Sequence, residues 1–150
     1  MDDVAVVYES KTGTTRRLAL AVGDELFGRG IRCTTYPTAG VTAAAIADTN
    51  VFILGTWTDG LFAVGQRPGG RRHLERVLAD LGGPDGQGLA DKRCLVYCTY
   101  AVTPGRTLEK LAAMVTDAGG TVSGGLAVRR DRLEQGAQAL VSAVTETAGV

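Results

Sequence analysis

Short apolar runs alternate with amphipathic segments along the chain, and this alternation constrains the fold more than any other feature of the sequence. The run Val51–Thr56 is apolar at nearly every position, which is typical of a strand buried on both faces. Between such runs, apolar residues recur at helical spacing, as at Leu74, Val77, Leu78 and Leu81. Strands that alternate with helices favour a parallel sheet covered by helices on both faces.

The whole chain divides into five predicted strands and five predicted helices. Glycine-rich stretches end two of these helices, at Gly82–Gly86 and at Gly119–Gly120. The predicted strands cover residues 4–8, 31–36, 51–56, 94–99 and 121–128. The predicted helices follow Thr15, cover Ala43–Asp48 and Arg71–Leu81, and begin near Pro104 and near Asp131.

Length and charge narrow the class of protein further. A chain of 150 residues with 45% hydrophobic residues fits one domain with a substantial core. Its 16 basic and 16 acidic residues cancel, so the net charge does not indicate nucleic-acid binding. No apolar run reaches the roughly 18 residues that cross a bilayer, and Met1-Asp2-Asp3 is unlike the start of a signal peptide. We therefore expect a cytoplasmic protein with neither a nucleic-acid nor a membrane partner.

The cysteines are expected to be free thiols. Cys94 and Cys98 fall on one predicted strand, where four residues separate them by about 13 Å. That distance is too long for a disulfide. The three cysteines of the chain are therefore interpreted as core thiols in a reducing compartment.

Hydroxyl groups are concentrated between the first predicted strand and its helix. Ser10, Thr12, Thr14 and Thr15 surround Gly13 at the start of the helix. A helix N-terminus leaves backbone N–H groups unpaired and carries the positive end of the helix dipole. An ordinary N-cap needs one hydroxyl, whereas this segment has four within six residues. The segment therefore favours an oxyanion such as a phosphate.

An aromatic residue follows each of two later strands. Trp57, the only tryptophan, leaves the third strand, and Tyr100 leaves the fourth. Each alone fits a residue at the rim of the core. Ligands of parallel sheets, however, bind beyond the carboxyl ends of the strands. Together with the phosphate loop, the two aromatics predict a flat aromatic ligand that carries a phosphate.

These three loops resemble those of the short-chain flavodoxins, and the similarity covers essentially the whole chain. Ser10-Lys11-Thr12-Gly13-Thr14-Thr15 matches the flavodoxin pattern of Ser/Thr, any residue, Thr, Gly, any residue, Thr, which wraps the phosphate of flavin mononucleotide (FMN). Thr56-Trp57 with Asp59-Gly60 is similar to the second loop, whose Trp flanks one face of the isoalloxazine ring. Tyr100 lies in the third loop, where flavodoxins often place a Tyr against the other face.

The resemblance implies a flavodoxin-like FMN-binding domain over residues 1–150, with FMN as its cofactor. The implied fold is an α/β three-layer sandwich, with a five-stranded parallel sheet in the order 2-1-3-4-5 and helices on both faces. No His, Cys or Glu of the three loops forms an obvious acid–base pair, so we expect no catalytic and no metal-ligating residue. The residues implied to contact FMN are Ser10, Lys11, Thr12, Gly13, Thr14, Thr15, Thr56, Trp57, Thr58, Asp59, Gly60, Thr99, Tyr100 and Ala101.

The function implied by the resemblance is electron transfer. Such a protein shuttles low-potential electrons between a reductase and an acceptor protein, and is a carrier rather than a stand-alone enzyme. Gly60 is implied to let its peptide turn, so that the carbonyl accepts a hydrogen bond from N5 of the reduced flavin. The apolar stretch Leu61–Gly65 lengthens the second loop and is interpreted as a cover over the ligand or as a contact surface.

The chain departs from the flavodoxins in its charge. Flavodoxins typically carry acidic surfaces near the flavin, whereas Arg67, Arg71, Arg72 and Arg76 make the segment after the second loop basic. This basic segment is either a solvated helix face or the docking place of an acidic redox partner or anionic substrate.

Other functions remain open on the same fold. One is an FMN-dependent oxidoreductase, such as an NAD(P)H:quinone reductase, and another is a cofactor-free binding module. A receiver domain is disfavoured because Glu9 is the only carboxylate near the end of the first strand. Neither a dinucleotide-binding glycine fingerprint nor a Walker pattern follows that strand.

Overall fold

The computed structural model describes residues 3–60 and 65–148. Its strands are β1 (Asp3–Tyr8), β2 (Arg32–Pro37), β3 (Val51–Asp59), β4 (Arg67–Pro68), β5 (Arg93–Tyr100) and β6 (Thr121–Arg129). Its α-helices are α1 (Thr14–Gly28), α2 (Arg71–Gly82), α3 (Gln87–Ala90), α4 (Thr107–Asp117) and α5 (Leu133–Ala148), and Thr38–Gly40 forms one 3-10 turn.

Two hydrophobic layers lie on opposite faces of the sheet because successive strand residues point to opposite sides. Val6 and Ile53 pack with the buried residues of α1 and α5. Val7 and Leu54 pack on the other face with those of α2, α3 and α4. The chain therefore has the predicted three-layer α/β architecture. None of the helices within residues 3–60 and 65–148 has the length and apolar character needed to span a membrane.

The five long strands are parallel and follow the predicted order. They run β2-β1-β3-β5-β6, which is 2-1-3-4-5 when the long strands alone are numbered. The two-residue strand β4 is an addition that the sequence did not predict. It pairs antiparallel with the end of β3, through Thr58 with Pro68 and Asp59 with Arg67. This pairing extends β3 beyond Thr56, so Trp57, Thr58 and Asp59 lie in a strand rather than in a loop.

The predicted helix at Ala43–Asp48 is wrong. This segment forms turns held by bonds to the third preceding residue, such as Thr49 N–H to the Ile46 carbonyl at 3.0 Å. Ile46 is its one buried hydrophobic residue, too small an apolar face to stabilise a helix. Helices α4 and α5 begin at Thr107 and Leu133, two or three residues later than predicted, and α3 follows the glycine-rich stop after α2.

All three cysteines are free, in agreement with the spacing argument. Cys94 and Cys98 are buried in β5, and Cys33 is half-buried in β2. Burial raises the pKa of the Cys33 and Cys98 thiols to about 11. At neutral pH these thiols therefore remain protonated and pack as small apolar groups.

Gly55 lets a tyrosine cross the centre of the sheet. The Tyr97 ring lies on the Gly55 backbone, where an added Cβ would be 1.9 Å from the ring carbon Cζ. Tyr97 is fully buried, and its hydroxyl donates a hydrogen bond to the Thr15 carbonyl at 3.1 Å. The ring therefore connects β5 to the first turn of α1 through the gap that glycine leaves in β3.

Gly55→Ala is expected to destabilise the fold by about 1–3 kcal/mol, because a methyl group would overlap the Tyr97 ring. Urea unfolding followed by circular dichroism measures the change. Gly28→Ala is the matched control, since no atom outside its own helix lies within 4 Å of the added Cβ. Equal stability of the two variants would contradict the packing argument.

Candidate functional site

The carboxyl ends of β1, β3 and β5 meet at one edge of the sheet. Tyr8 of β1 is paired with Gly55, and Trp57 of β3 is paired with Thr99 of β5. The chain leaves β1 towards β2 on one side, while β3 lies on the other side. The strand order reverses at this place, which is where α/β sheets bind ligands.

The loop after β1 has a defined backbone shape. Gly13 precedes α1 with φ +96°, in the left-handed region that glycine adopts readily. The Ser10 hydroxyl oxygen accepts a hydrogen bond from the Gly13 N–H at 3.1 Å. Because the Ser10 oxygen accepts this bond, its own O–H remains available as a donor.

Several donors of this loop have no partner among the described residues. They are the N–H groups of Lys11, Thr12, Thr14 and Thr15 and the hydroxyls of Thr12 and Thr14. The first helical bond of α1 runs from Arg17 N–H to the Gly13 carbonyl at 2.9 Å, so the preceding donors point out of the helix end. The loop can therefore receive an anion with neutral donors.

Thr15 and Thr99 face each other rather than the open edge. Their hydroxyl oxygens are 3.0 Å apart and both side chains are buried. The bond joins α1 to the end of β5. The sequence placed both residues at the site, and the structure brings them together as a link between two of its walls.

Trp57 packs against the backbone at Gly69, directly after β4. Its indole lies on Gly69, where an added Cβ would be 2.0 Å from the ring. The Gly69 N–H donates to the Trp57 carbonyl at 2.8 Å, and the Thr56 hydroxyl donates to the Gly69 carbonyl at 2.7 Å. Thr56 is therefore buried and structural, whereas Trp57 is half-buried at the edge.

The residues after Trp57 have different environments. Thr58 is half-buried, and its hydroxyl oxygen is buried with no hydrogen-bond partner among the described residues. Asp59 is partly exposed and forms an ion pair with Arg67 at 3.4 Å. Gly60 has φ +106°, and an added Cβ would be 2.7 Å from the Gly65 carbonyl oxygen. The apolar residues 61–64 lie outside the described residues.

Gln66 fastens the second loop to the third, and the sequence patterns did not single it out. Its side chain is 5% exposed, and its Nε2 donates to the Thr103 carbonyl at 2.6 Å. The Gln66 backbone carbonyl accepts a hydrogen bond from Lys110 Nζ at 2.8 Å. Gly105 leaves space for it, since a Cβ there would be 2.2 Å from Gln66 Oε1. The partners are about 40 residues away in sequence, so no local pattern indicates the contact.

The third loop starts with a half-buried Tyr100, the last residue of β5. The Tyr100 carbonyl accepts a bond from the Arg130 N–H at 2.9 Å, which ties the loop to the end of β6. Ala101 and Val102 follow and are exposed, Val102 at 73%. Tyr100 therefore lies at the same edge as Trp57, one residue beyond the Trp57–Thr99 pair.

Glu9 forms a half-buried junction beside the hydroxyl-rich loop, and the sequence patterns did not predict it. Its side chain is 14% exposed and accepts hydrogen bonds from the Thr38 hydroxyl and from His73 Nδ1, the latter at 2.9 Å. Gly70 lies against the carboxylate, where a Cβ would be 2.4 Å from Oε2. The junction connects the ends of β1 and β2 with the first turn of α2. Its only local signal is a carboxylate directly after a buried strand.

Comparison with known proteins finds the same fold in solved structures. A flavodoxin from the domain Archaea superposes with a TM-score of 0.71 at 15% identity, covering 99% of both chains. Two-electron reduced Megasphaera elsdenii flavodoxin gives a TM-score of 0.70 at 20% identity, over 90% of this chain and 98% of that one. Rubredoxin:oxygen oxidoreductase from Desulfovibrio gigas gives 0.69 at 16% identity, and this chain covers 38% of it.

The chain therefore has a flavodoxin-like α/β fold, as the three loops predicted. No protein-family model matches the sequence. No curated protein matches it either.

Gln66→Ala is expected to lower the free energy of unfolding by about 1–2 kcal/mol, because the half-buried Thr103 carbonyl loses its donor. Amide hydrogen exchange should increase in residues 101–106, since the third loop loses its link to the second. Gln138→Ala is the control, because Gln138 is exposed on α5. Unchanged exchange in the third loop would show that Gln66 does not hold it.

Proposed function

We propose that this chain binds FMN at the carboxyl edge of its sheet and carries electrons between redox partner proteins, a reductase and an acceptor. The observation that carries the proposal is the cluster of unpartnered neutral donors at the start of α1, next to a half-buried tryptophan on the neighbouring strand. An anion cradle beside an aromatic platform suits a ligand with a phosphate at one end and a flat ring at the other.

The phosphate loop fits the proposed ligand by its donors. The backbone N–H groups of Lys11, Thr12, Thr14 and Thr15 and the hydroxyls of Ser10, Thr12 and Thr14 would hold the phosphate. Gly13 keeps the loop in its left-handed turn. Since these donors are neutral, they orient the phosphate while leaving much of its charge in place.

Two aromatic residues and one glycine would contact the isoalloxazine ring. Trp57, fixed on Gly69, would cover one face of the isoalloxazine, and Tyr100 the other. FMN supplies one-electron and two-electron chemistry when it is bound. Asp59 and Gly60 would lie beside the ring, and the Gly60 carbonyl is proposed to accept a hydrogen bond from the N5–H of the reduced flavin. The protein's own contribution is to hold the ring at an exposed edge and to exclude water from its faces.

Free thiols agree with a reducing compartment, so we propose the cytoplasm as the place of action. The linkage of the second and third loops through Gln66 supports a site whose two ring-facing walls are kept at a constant distance. A site fixed in this way needs little rearrangement between oxidation states, which suits an electron carrier.

Purified protein is expected to be yellow, or to become yellow with FMN, and to be reduced in two separate one-electron steps. Thr12→Val should raise the Kd for FMN about tenfold to 100-fold, because one hydrogen bond to a charged group is lost. Riboflavin, which lacks the phosphate, should bind both proteins equally. Thr116→Val, an exposed threonine of α4, is the matched control. A colourless protein that does not bind added FMN would refute the function.

Tryptophan emission offers an independent measurement, because Trp57 is the only tryptophan of the chain. FMN binding should quench the emission strongly, since the indole would lie against the ring. Tyr100→Ala should keep this quenching and weaken FMN affinity. Retention of FMN on a desalting column with unchanged Trp57 emission would place the flavin elsewhere.

A further inference from the structure

Exposed cations without an acidic partner gather around the carboxyl edge of the sheet. They lie in the loops after the strands and in the first turns of the helices that follow, and within the described residues none has a carboxylate within 4 Å. We call them the edge cations: Lys11, Arg16, Arg17, Arg72, Arg130 and Arg132. Glu134 is the one exposed acid at this edge that forms no ion pair within the described part of the chain.

The basic segment singled out in the sequence is only part of this surface. Arg67 is paired with Asp59 at 3.4 Å, and Arg71 with Glu75 at 2.9 Å, so both charges are partly neutralised within the protein. Arg72 and Arg76 both lack an ion pair within the described part of the chain, and Arg72 is the one that lies at the start of α2. The other edge cations come from the start of α1 and from the turn between β6 and α5.

The opposite end of the sheet carries the reverse charge. Exposed acids without a cation within 4 Å, among the described residues, lie near the ends of the helices and before β3: Asp24, Asp48, Asp80, Asp85, Asp117 and Glu146. Three cations at that end are paired with acids, Arg29 with Glu25, Arg32 with Asp3 and Lys92 with Asp91. A chain with zero net charge therefore has a strong charge asymmetry along the strand direction.

An exposed hydrophobic residue lies at the basic carboxyl edge of the sheet. Val102 is 73% exposed in the third loop, next to the exposed Ala101 and the half-buried Tyr100. Arg130 adjoins it, since its N–H bonds the Tyr100 carbonyl. A small apolar contact surrounded by charges is the usual composition of a transient protein interface.

We propose that the carboxyl edge of the sheet docks an acidic redox protein, with Val102 in the contact and the edge cations around it. The inference rests on the proposed function, since it names the partner of that same site. A partner with clustered Asp and Glu side chains would be drawn to the edge cations and turned away by the acidic end. Charge complementarity of this kind orients the encounter and raises its rate by about 10-fold to 1000-fold at low ionic strength.

A protein fits this surface better than a nucleotide or a nucleic acid. The edge cations are spread over loops and first helical turns that follow three different strands, a wider footprint than one nucleotide phosphate needs. A polyanion that wraps the molecule would also meet the acidic end. A compact acidic protein touches the edge alone and brings its own redox centre close to the flavin.

The test measures electron transfer from the reduced FMN-loaded protein to two haem proteins by stopped flow. Each ferric haem takes one electron from the reduced flavin. Cytochrome b5 presents an acidic surface, and cytochrome c presents a basic one. The rate constant with cytochrome b5 should fall about 10-fold or more between 10 mM and 500 mM salt, because the Debye length shortens from about 30 Å to a few ångströms. The rate constant with cytochrome c should not fall.

Arg130→Gln/Arg132→Gln should lower the cytochrome b5 rate constant about threefold to tenfold at 10 mM salt. Arg29→Gln/Arg32→Gln removes the same charge from the acidic end and should change it less than twofold. Equal effects of the two pairs, or a faster reaction with cytochrome c at low salt, would overturn the proposal. Steady NADPH oxidation without a partner, weakened by Arg130→Gln/Arg132→Gln, would instead assign the cations to a nucleotide.

The two proposals fail in different ways. FMN content is measured by absorbance before each reaction, so loss of the flavin contradicts the proposed function alone. Binding of cytochrome b5 to flavin-free protein, followed by NMR line broadening, then tests the docking surface without electron transfer. Broadening that Arg130→Gln/Arg132→Gln removes and Arg29→Gln/Arg32→Gln keeps supports docking, and its absence in the unmodified protein contradicts it.

Discussion

The contact of Tyr97 with Gly55 is the constraint on which the arrangement of the site depends. The ring of a β5 residue crosses β3 because Gly55 has no side chain, and its hydroxyl reaches the first turn of α1 at 3.1 Å. The Thr15–Thr99 hydrogen bond at 3.0 Å reinforces this link from the same two elements. The start of α1 is thereby held at a constant position relative to the end of β5. An anion loop and an aromatic loop can serve one ligand only if that relation is maintained.

The second loop, between β3 and β4, is held by hydrogen bonds to the chain that follows it and to the third loop. Thr56 and Trp57 bind the returning chain at Gly69, while Gln66 binds the third loop at Thr103. On the other flank, Glu9 joins the ends of β1 and β2 to α2. Apart from the exposed Glu9–His73 contact, these are buried or half-buried polar contacts, and each of them carries more stabilisation than an exposed ion pair because water competes less for it. The site is therefore framed by contacts between loops rather than within them.

Most of the fold was predictable because its signals are local. The apolar runs give the strands, and the hydroxyl-rich segment before α1 is visible within six residues. The helix predicted at Ala43–Asp48 failed because polar and alanine-rich residues there contribute one buried side chain, Ile46. β4 was not predicted because a strand of two residues is too short to show an alternating pattern. The role of Gln66 was not predicted because its hydrogen-bond partners are distant in the chain. Thr15, Thr56 and Thr99 were placed at the site by pattern, but their hydroxyls are used to connect its walls.

The sequence by itself determined that strands and helices alternate, and hence that every loop after a long strand lies at one edge of a parallel sheet. It also determined that this edge would carry hydroxyls, one tryptophan and several arginines. Only the tertiary structure decided which of these groups remain available. A hydrogen bond between distant residues satisfies Thr15 and Thr99, and the pairing of β4 with β3 brings Arg67 to Asp59. Arg71 is paired within its own helix with Glu75, and the donors before α1 and the edge cations are left free. The reason is physical: a polar group serves a ligand or partner when the fold provides no closer group to satisfy it.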